Sequence, residues 1–306
     1  MKKVIEVKNL VKQYGKINAV DGISFDVSQG EVFGLLGENG AGKSTTLEII
    51  EGLRKSTGGS VKILGLDIKK NKNEIKTKIG VQLQSSAYYN FLKLKEIVSL
   101  FCSFYGSCLD PIALLDTVGL KEKANSYVMN LSGGQKQRFS IVASLVNDPE
   151  IVFLDEPTTG LDPLARRNLW HLISDIKSKG KTVILTTHYM EEAEALCDRV
   201  AIMEKGKILA LDDTHKLIEQ SKNPFTISFI TEKKKLNEKI FGQVIKLGEI
   251  ENLFGKQNHF ILHLKTREAL NKALVLVQKL NPESIKVGEA SLEDLFIDLT
   301  GKTISE

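Results

Sequence analysis

Apolar and polar positions divide the chain into two parts with different rhythms. Residues 4–11 and 23–27 alternate apolar with polar side chains, the mark of half-buried strands, and Gly15 breaks the run between them. Val32–Leu36 is a short apolar run that predicts a buried strand. It passes into a glycine-rich stretch and then a helical segment ending near Gly52, the strand–loop–helix order of phosphate-binding loops. Over residues 93–105, Leu94, Ile97, Val98 and Phe101 recur at i, i+3, i+4 and i+7, which predicts an amphipathic helix. Asp110-Pro111 supplies an N-cap and a first-turn proline for the next one. Residues of about 86–147 therefore read as a mostly helical insertion. Buried-strand runs resume at 151–154, 183–185 and 200–203, with a helix over Pro163–Ser178. Strands alternating with helices predict an α/β class with a mainly parallel sheet.

Past about residue 220 the rhythm changes. Phe225, Ile227 and Phe229 alternate with Thr226 and Ser228, and residues 255–258 read as a hairpin turn. Leu270, Ala273, Leu274 and Val277 mark one helix; Leu292, Leu295, Phe296 and Leu299 mark another. The expected organisation is a domain over 1–220 and a small α/β domain over 221–306.

A length of 306 residues fits that two-domain division. Charged residues make up 26% and hydrophobic ones 42%, a globular balance. The formal net charge of +4 is too small to argue for nucleic acid. The longest apolar run is the five residues 273–277, whereas a spanning helix needs about 20, so no bilayer crossing is expected. Met1-Lys2-Lys3-Val4-Ile5-Glu6 meets an acid before an apolar segment forms, so no signal peptide is expected. Cys102, Cys108 and Cys197 cannot all pair and form no CxxC spacing, which predicts reduced thiols.

Candidate chemistry concentrates in two places. Gly37-Glu38-Asn39-Gly40-Ala41-Gly42-Lys43-Ser44 fits G-x-x-x-x-G-K-[ST], and Thr45 follows it into the helix. The glycines let backbone N–H groups turn inward around a polyphosphate, Lys43 reaches the β- and γ-phosphates, and the Ser44 hydroxyl holds Mg²⁺. The helix beyond points its positive end at the anion. The second place is 151–156, four apolar residues ending in Asp155-Glu156. A buried strand that delivers two carboxylates to its end suits phosphoryl transfer, with Asp155 on Mg²⁺ and Glu156 orienting and deprotonating water.

Leu131-Ser132-Gly133-Gly134-Gln135 narrows the class, because it resembles the signature of ATP-binding cassette (ABC) ATPases. Further similarities follow in the family's order. Tyr14 stands where the family stacks an aromatic on adenine, Gln84 where a glutamine joins the core to the helical part and helps hold Mg²⁺. Gly160-Leu161-Asp162 matches the loop that meets a second subunit, and His188 the switch histidine at the γ-phosphate. The resemblance covers about residues 1–220. It implies a P-loop ABC cassette with a mainly parallel core, an antiparallel β part and a helical subdomain. It also implies that Ser132, Gly133, Gly134 and Gln135 complete the ATP site of a second subunit in a head-to-tail dimer. The guanine-reading pattern has only a distant match in Asn71-Lys72-Asn73-Glu74, read as a solvated run, so the nucleotide is taken as ATP. Phe139 departs from the aliphatic residue usual in the family, which predicts a local packing adjustment.

The chain carries one cassette. In the family such a subunit works with a separate polytopic permease, which implies a peripheral position on the cytoplasmic face of the cell membrane and no nucleic-acid partner. Residues 187–194 and the tail Ser291-Leu292-Glu293-Asp294-Leu295-Phe296 resemble type-2 exporters of the drug, antibiotic and bacteriocin-immunity group. The alternative is a soluble ABC-type ATPase acting in translation or DNA maintenance, although two cassettes or a long coiled-coil insertion are absent from this sequence.

Overall fold

The structure, a computed structural model, describes residues 2–82, 88–89, 91–105, 109–231, 238–252 and 259–301. It divides into two compact units, Met1–Asp213 and Thr214–Glu306.

In the first unit, β1 (Lys3–Tyr14), β2 (Ile17–Ser28), β4 (Gly58–Ile63) and β5 (Leu66–Asp67) form an antiparallel sheet in the order β2-β1-β4-β5. A six-stranded sheet runs β10-β9-β3-β8-β7-β6, built from β3 (Val32–Leu36), β6 (Ile79–Gln82), β7 (Ile151–Asp155), β8 (Thr182–Thr187), β9 (Arg199–Glu204) and β10 (Lys207–Asp213). Its pairs are parallel except β9–β10. All five positions of β3 are buried, as a central strand covered on both faces requires. Leu36 lies opposite Thr187, and Asp155 opposite Thr186, so β3, β7 and β8 end level with one another. That shared edge carries the chemistry.

Helix α1 (Lys43–Ile50) leaves β3 through the glycine loop and buries Leu47, Ile49 and Ile50 in the core shared by the two sheets. Phe25 and Phe33 stack there at 5.2 Å between ring centroids. The insertion is helical as expected, with α3 (Leu94–Cys102), α4 (Pro111–Thr117) and α5 (Gly133–Ser144). Asp110 caps α4 by accepting the Ala113 N–H at 2.8 Å. Phe139 is wholly buried and meets Tyr88 edge-on at 5.1 Å. Two further helices, α6 (Pro163–Ser178) and α7 (Met190–Leu196), flank the parallel sheet.

Several elements differ from their sequence reading. β2 starts six residues earlier than the alternation suggests, because the pairing with β1 continues past Gly22 through shifts of register. The charged run at 71–78 is helix α2 (Lys72–Lys78), anchored by the single buried side chain Ile75. Cys102 is disulfide-bonded, contrary to the expectation of reduced thiols, whereas Cys197 is free and buried. Cys108 and the expected turn at 255–258 lie outside the described residues.

The second unit holds α8 (Thr214–Glu219) and an antiparallel sheet β12-β13-β11-β14, made of β11 (Phe225–Ile230), β12 (Glu249–Asn252), β13 (His259–Leu264) and β14 (Ser284–Glu289). Helices α9 (Glu238–Ile245) and α10 (Arg267–Gln278) close its core over Ile227, Phe229, Leu262 and Leu264. Asp298 on α11 (Leu292–Thr300) accepts from Ser221 Oγ at 3.0 Å and from the Lys222 N–H at 2.9 Å. His259 and His263, both on β13, take different partners, Ser228 at 2.8 Å and Glu251 at 3.6 Å. Among the described residues no helix is long and apolar enough to cross a membrane.

Candidate active site

The glycine loop is shaped by close approach. Gly37 has φ +156° and Gly42 φ +102°; a Cβ on either would lie 2.3 Å from a backbone oxygen, that of Met203 or of Ala19. Only glycine fits both positions. The loop folds back through the Ala41 N–H to the Glu38 carbonyl at 3.2 Å, and the Gly37 N–H donates to Thr187 on β8.

Lys43 opens α1 and is 4% exposed. Its Nζ donates to the carbonyls of Gly37 at 2.8 Å and Glu38 at 3.1 Å, and lies 3.5 Å from Glu156 Oε1. Burial pushes the Lys43 ammonium below its ordinary pKa, and the Glu156 charge opposes that shift.

Asp155 ends β7, Glu156 follows it, and both are held by one residue the sequence reading missed. Thr186 Oγ1 donates to Asp155 Oδ1 at 2.5 Å and accepts the Glu156 N–H at 2.9 Å. A strand threonine carries no sequence signal of its own; the parallel register that sets it opposite Asp155 creates the role. Ser44 Oγ donates to the same Asp155 oxygen at 3.1 Å, so the hydroxyl and the carboxylate expected on a metal stand together. Among the described residues no group of three or more His, Cys, Asp or Glu is arranged to hold a metal ion. An alcohol and a carboxylate are nonetheless hard oxygen donors of the kind Mg²⁺ takes when phosphates supply the rest. Gln84, the third expected ligand, lies outside the described residues.

Glu156 adopts φ +46°, the sparsely populated left-handed region. This turns its side chain back over the loop. Oε1 faces Lys43; Oε2 accepts from Thr159 Oγ1 at 3.1 Å and lies 3.4 Å from His188 Nδ1. The structure therefore gathers Lys43, Ser44, Asp155, Glu156 and His188 at one edge of the sheet. A carboxylate held between an ammonium and an imidazole is well placed to orient water beside a bound phosphate.

The other expected residues stand in different surroundings. Tyr14 ends β1, half-exposed, with Lys12 Nζ 4.8 Å and the Arg54 guanidinium 5.5 Å from its ring centroid. Ser132 and Gln135 form a capping box on α5: Ser132 Oγ accepts the Gln135 N–H at 3.3 Å, and Gln135 Oε1 accepts the Ser132 N–H at 3.0 Å. Gly133 between them is exposed, and a Cβ there would meet nothing within 4 Å. Asp162 caps α6 through the Ala165 N–H at 2.8 Å. Glu51, just past α1, was also missed. Burial pushes its carboxyl up to about 8, with the charges of Asp155 and Glu48 adding to the effect, and its Oε1 has no hydrogen-bond partner.

Comparison with known proteins gives the family. The ABC transporter family matches residues 20–159. The linearmycin resistance ATP-binding protein LnrL of Bacillus subtilis is 33% identical over 99% of this chain and 100% of its own length. A fluoroquinolones export ATP-binding protein of Mycobacterium tuberculosis is 35% identical over 99% of this chain and 95% of its own. A solved dimeric ATP-binding cassette in a post-hydrolysis state, bound to ADP and Pi, superposes with a TM-score of 0.63 at 28% identity, over 68% of this chain and 98% of that one. On a likeness that runs the length of whole relatives, the chain belongs to the ATP-binding, ATP-hydrolysing subunits of the ABC transporter family.

Proposed function

We propose that this chain powers an exporter, binding and hydrolysing ATP at the Lys43–Glu156–His188 edge while a separate polytopic permease carries the cargo. The observation that supports it most directly is the convergence of Lys43, Ser44, Asp155, Glu156 and His188, with the full-length relatives named for export or resistance giving the direction. In this reading residues 1–220 are the cassette and 221–306 an accessory domain. The chain sits peripherally on the cytoplasmic face of the membrane.

Each residue has a task in that reading. Tyr14 stacks on adenine. The N–H groups of residues 37–45 and Lys43 hold the phosphates. When Lys43 turns from the Gly37 and Glu38 carbonyls to phosphate oxygens it also releases Glu156 Oε1. Glu156 then takes the proton of the attacking water, and His188 contacts the γ-phosphate. Ser44, Asp155 and Gln84 hold Mg²⁺, which when bound neutralises phosphate charge. Ser132, Gly133, Gly134 and Gln135 face the ATP of a second subunit, so that nucleotide joins two chains head to tail.

The test is a detergent pull-down of the tagged Glu156→Gln chain from its native membranes, beside wild type. Glu156→Gln should retain ATP and lose turnover by about 10²–10⁴-fold, the usual worth of a general base. A polytopic membrane protein recovered in near-stoichiometric yield supports export. Recovery of ribosomal or DNA-bound partners alone would replace it with the soluble-ATPase reading.

A further inference from the structure

Helix α6 touches the segment around His188 through two side chains one turn apart. Trp170 Nε1 donates to Glu192 Oε1 at 3.2 Å. The Arg166 guanidinium lies over the Tyr189 ring at 4.3 Å, and that ring lies 4.1 Å from the ring of His188. Thr187 Oγ1 accepts the Tyr189 N–H at 3.0 Å and so closes a tight turn around His188. Its own proton remains available to Glu192.

Glu192 is the centre of this arrangement. It is 0% exposed, and burial drives its carboxyl above the ordinary range. The Thr187, Thr158 and Trp170 donors and the Arg166 charge pull it back toward the ionised form. Thr187 precedes His188, and Thr158 follows Glu156 by two residues. One carboxylate therefore addresses both the switch segment and the loop that leaves the base. The fit is one bond short, since Glu192 Oε2 and Thr158 Oγ1 are buried without a well-formed hydrogen bond. A buried acid costs several kcal/mol before its partners offset it, and an apolar side chain would pack α7 without that cost.

We infer that Glu192, held by Trp170, is a positioning residue that fixes His188 and the loop beginning at Thr158 in a single arrangement for ATP hydrolysis. α6 itself is capped by Asp162, at the end of that loop, so a displacement of residues 158–162 is delivered to His188 through Trp170 and Arg166. The inference rests on the ATPase reading above and adds a coupling that reading does not contain. Its consequence is kinetic. Nucleotide is held by the loop and Lys43, and among the described residues the loop meets this cluster only through the Thr187 backbone carbonyl, so losing Glu192 slows the chemical step and leaves ATP binding in place.

Steady-state ATP hydrolysis by the full chain tests it. Glu192→Ala should lower kcat by about 10²-fold, the scale of a misplaced catalytic group, with KM for ATP changed by less than about threefold. Glu192→Gln keeps an acceptor for Trp170 and should recover most of that loss. Trp170→Phe should cost about tenfold alone and nothing further on top of Glu192→Ala, because both act through one contact. A kcat that falls only in proportion to the folded fraction, a KM that rises with it, or additive losses would overturn the inference. If Glu192→Ala fails to fold, the Gln and Phe variants carry the same test. Wild type without turnover would remove the ATPase reading itself; wild-type turnover with an indifferent Glu192→Ala removes only this inference.

Discussion

In the proposed function helices α1 and α5 both present their N-termini to nucleotide, yet they are built in opposite ways. α1 has no side-chain cap, starts from left-handed Gly42, and buries a lysine at its first position. Its first-turn donors are left for a ligand and its charge is already desolvated. α5 satisfies its own first turn with the Ser132–Gln135 box and keeps Gly133 open to solvent. The first site is organised inside the chain at a cost in buried charge. The second is a finished helix end with a bare glycine. The difference is what the proposed head-to-tail dimer requires: one half of an ATP site completed within the chain, the other offered to a second subunit.

The largest effect should come from the buried site. Lys43→Ala removes two carbonyl contacts and one partner of Glu156, and with them charge-assisted bonds to phosphate worth about 1.5–3 kcal/mol each. ATP affinity measured by calorimetry should fall about 10²-fold or more at every protein concentration. An unchanged affinity would break the comparison at its stronger end.

Gly133→Ala sharpens it at the other end. The added methyl has open space within the chain, and alanine favours helix over glycine, so the melting temperature should hold or rise slightly. ATP affinity of the single chain should be unchanged, while turnover falls about tenfold if the methyl occupies the face that the proposed dimer offers to a second subunit. Lost single-chain affinity would mean that α5 acts within its own chain.

The remaining effect is on stability and belongs to Glu51, the buried acid at the far end of α1. Its unfolded pKa is near 4.3, and burial raises the folded value to about 8. Between those values the folded chain holds a proton that the unfolded chain has lost. The stability this confers is complete below the unfolded value and is lost as pH rises toward 8. Glu51→Gln should match wild type near pH 4.5 and melt several degrees higher at pH 8–9, as a difference of a few kcal/mol implies. Parallel melting curves across pH would show that Glu51 carries no such proton.

What was legible follows the same division. β3 and α6 read with the bounds they have, because β3 is buried along its whole length and α6 opens on Asp162-Pro163, a cap followed by a first-turn proline. The loop and the Asp155-Glu156 pair were legible because their chemistry is local in sequence. Thr186 and Glu192 were not. Thr186 acts only through a register that sets it opposite Asp155, and Glu192 sits in an acidic stretch whose exposed members look the same as the buried one. α2 was hidden because one apolar side chain anchors it and the rest is charged.

Trp170 is the chain's one tryptophan, and its indole N–H rests on Glu192 within a few side chains of His188. The protein thus carries a built-in optical probe. Its intrinsic emission comes from a single place, next to the switch, with no other indole to dilute it. Stopped-flow fluorescence of the unlabelled chain can therefore time the movement of that segment in each cycle of ATP.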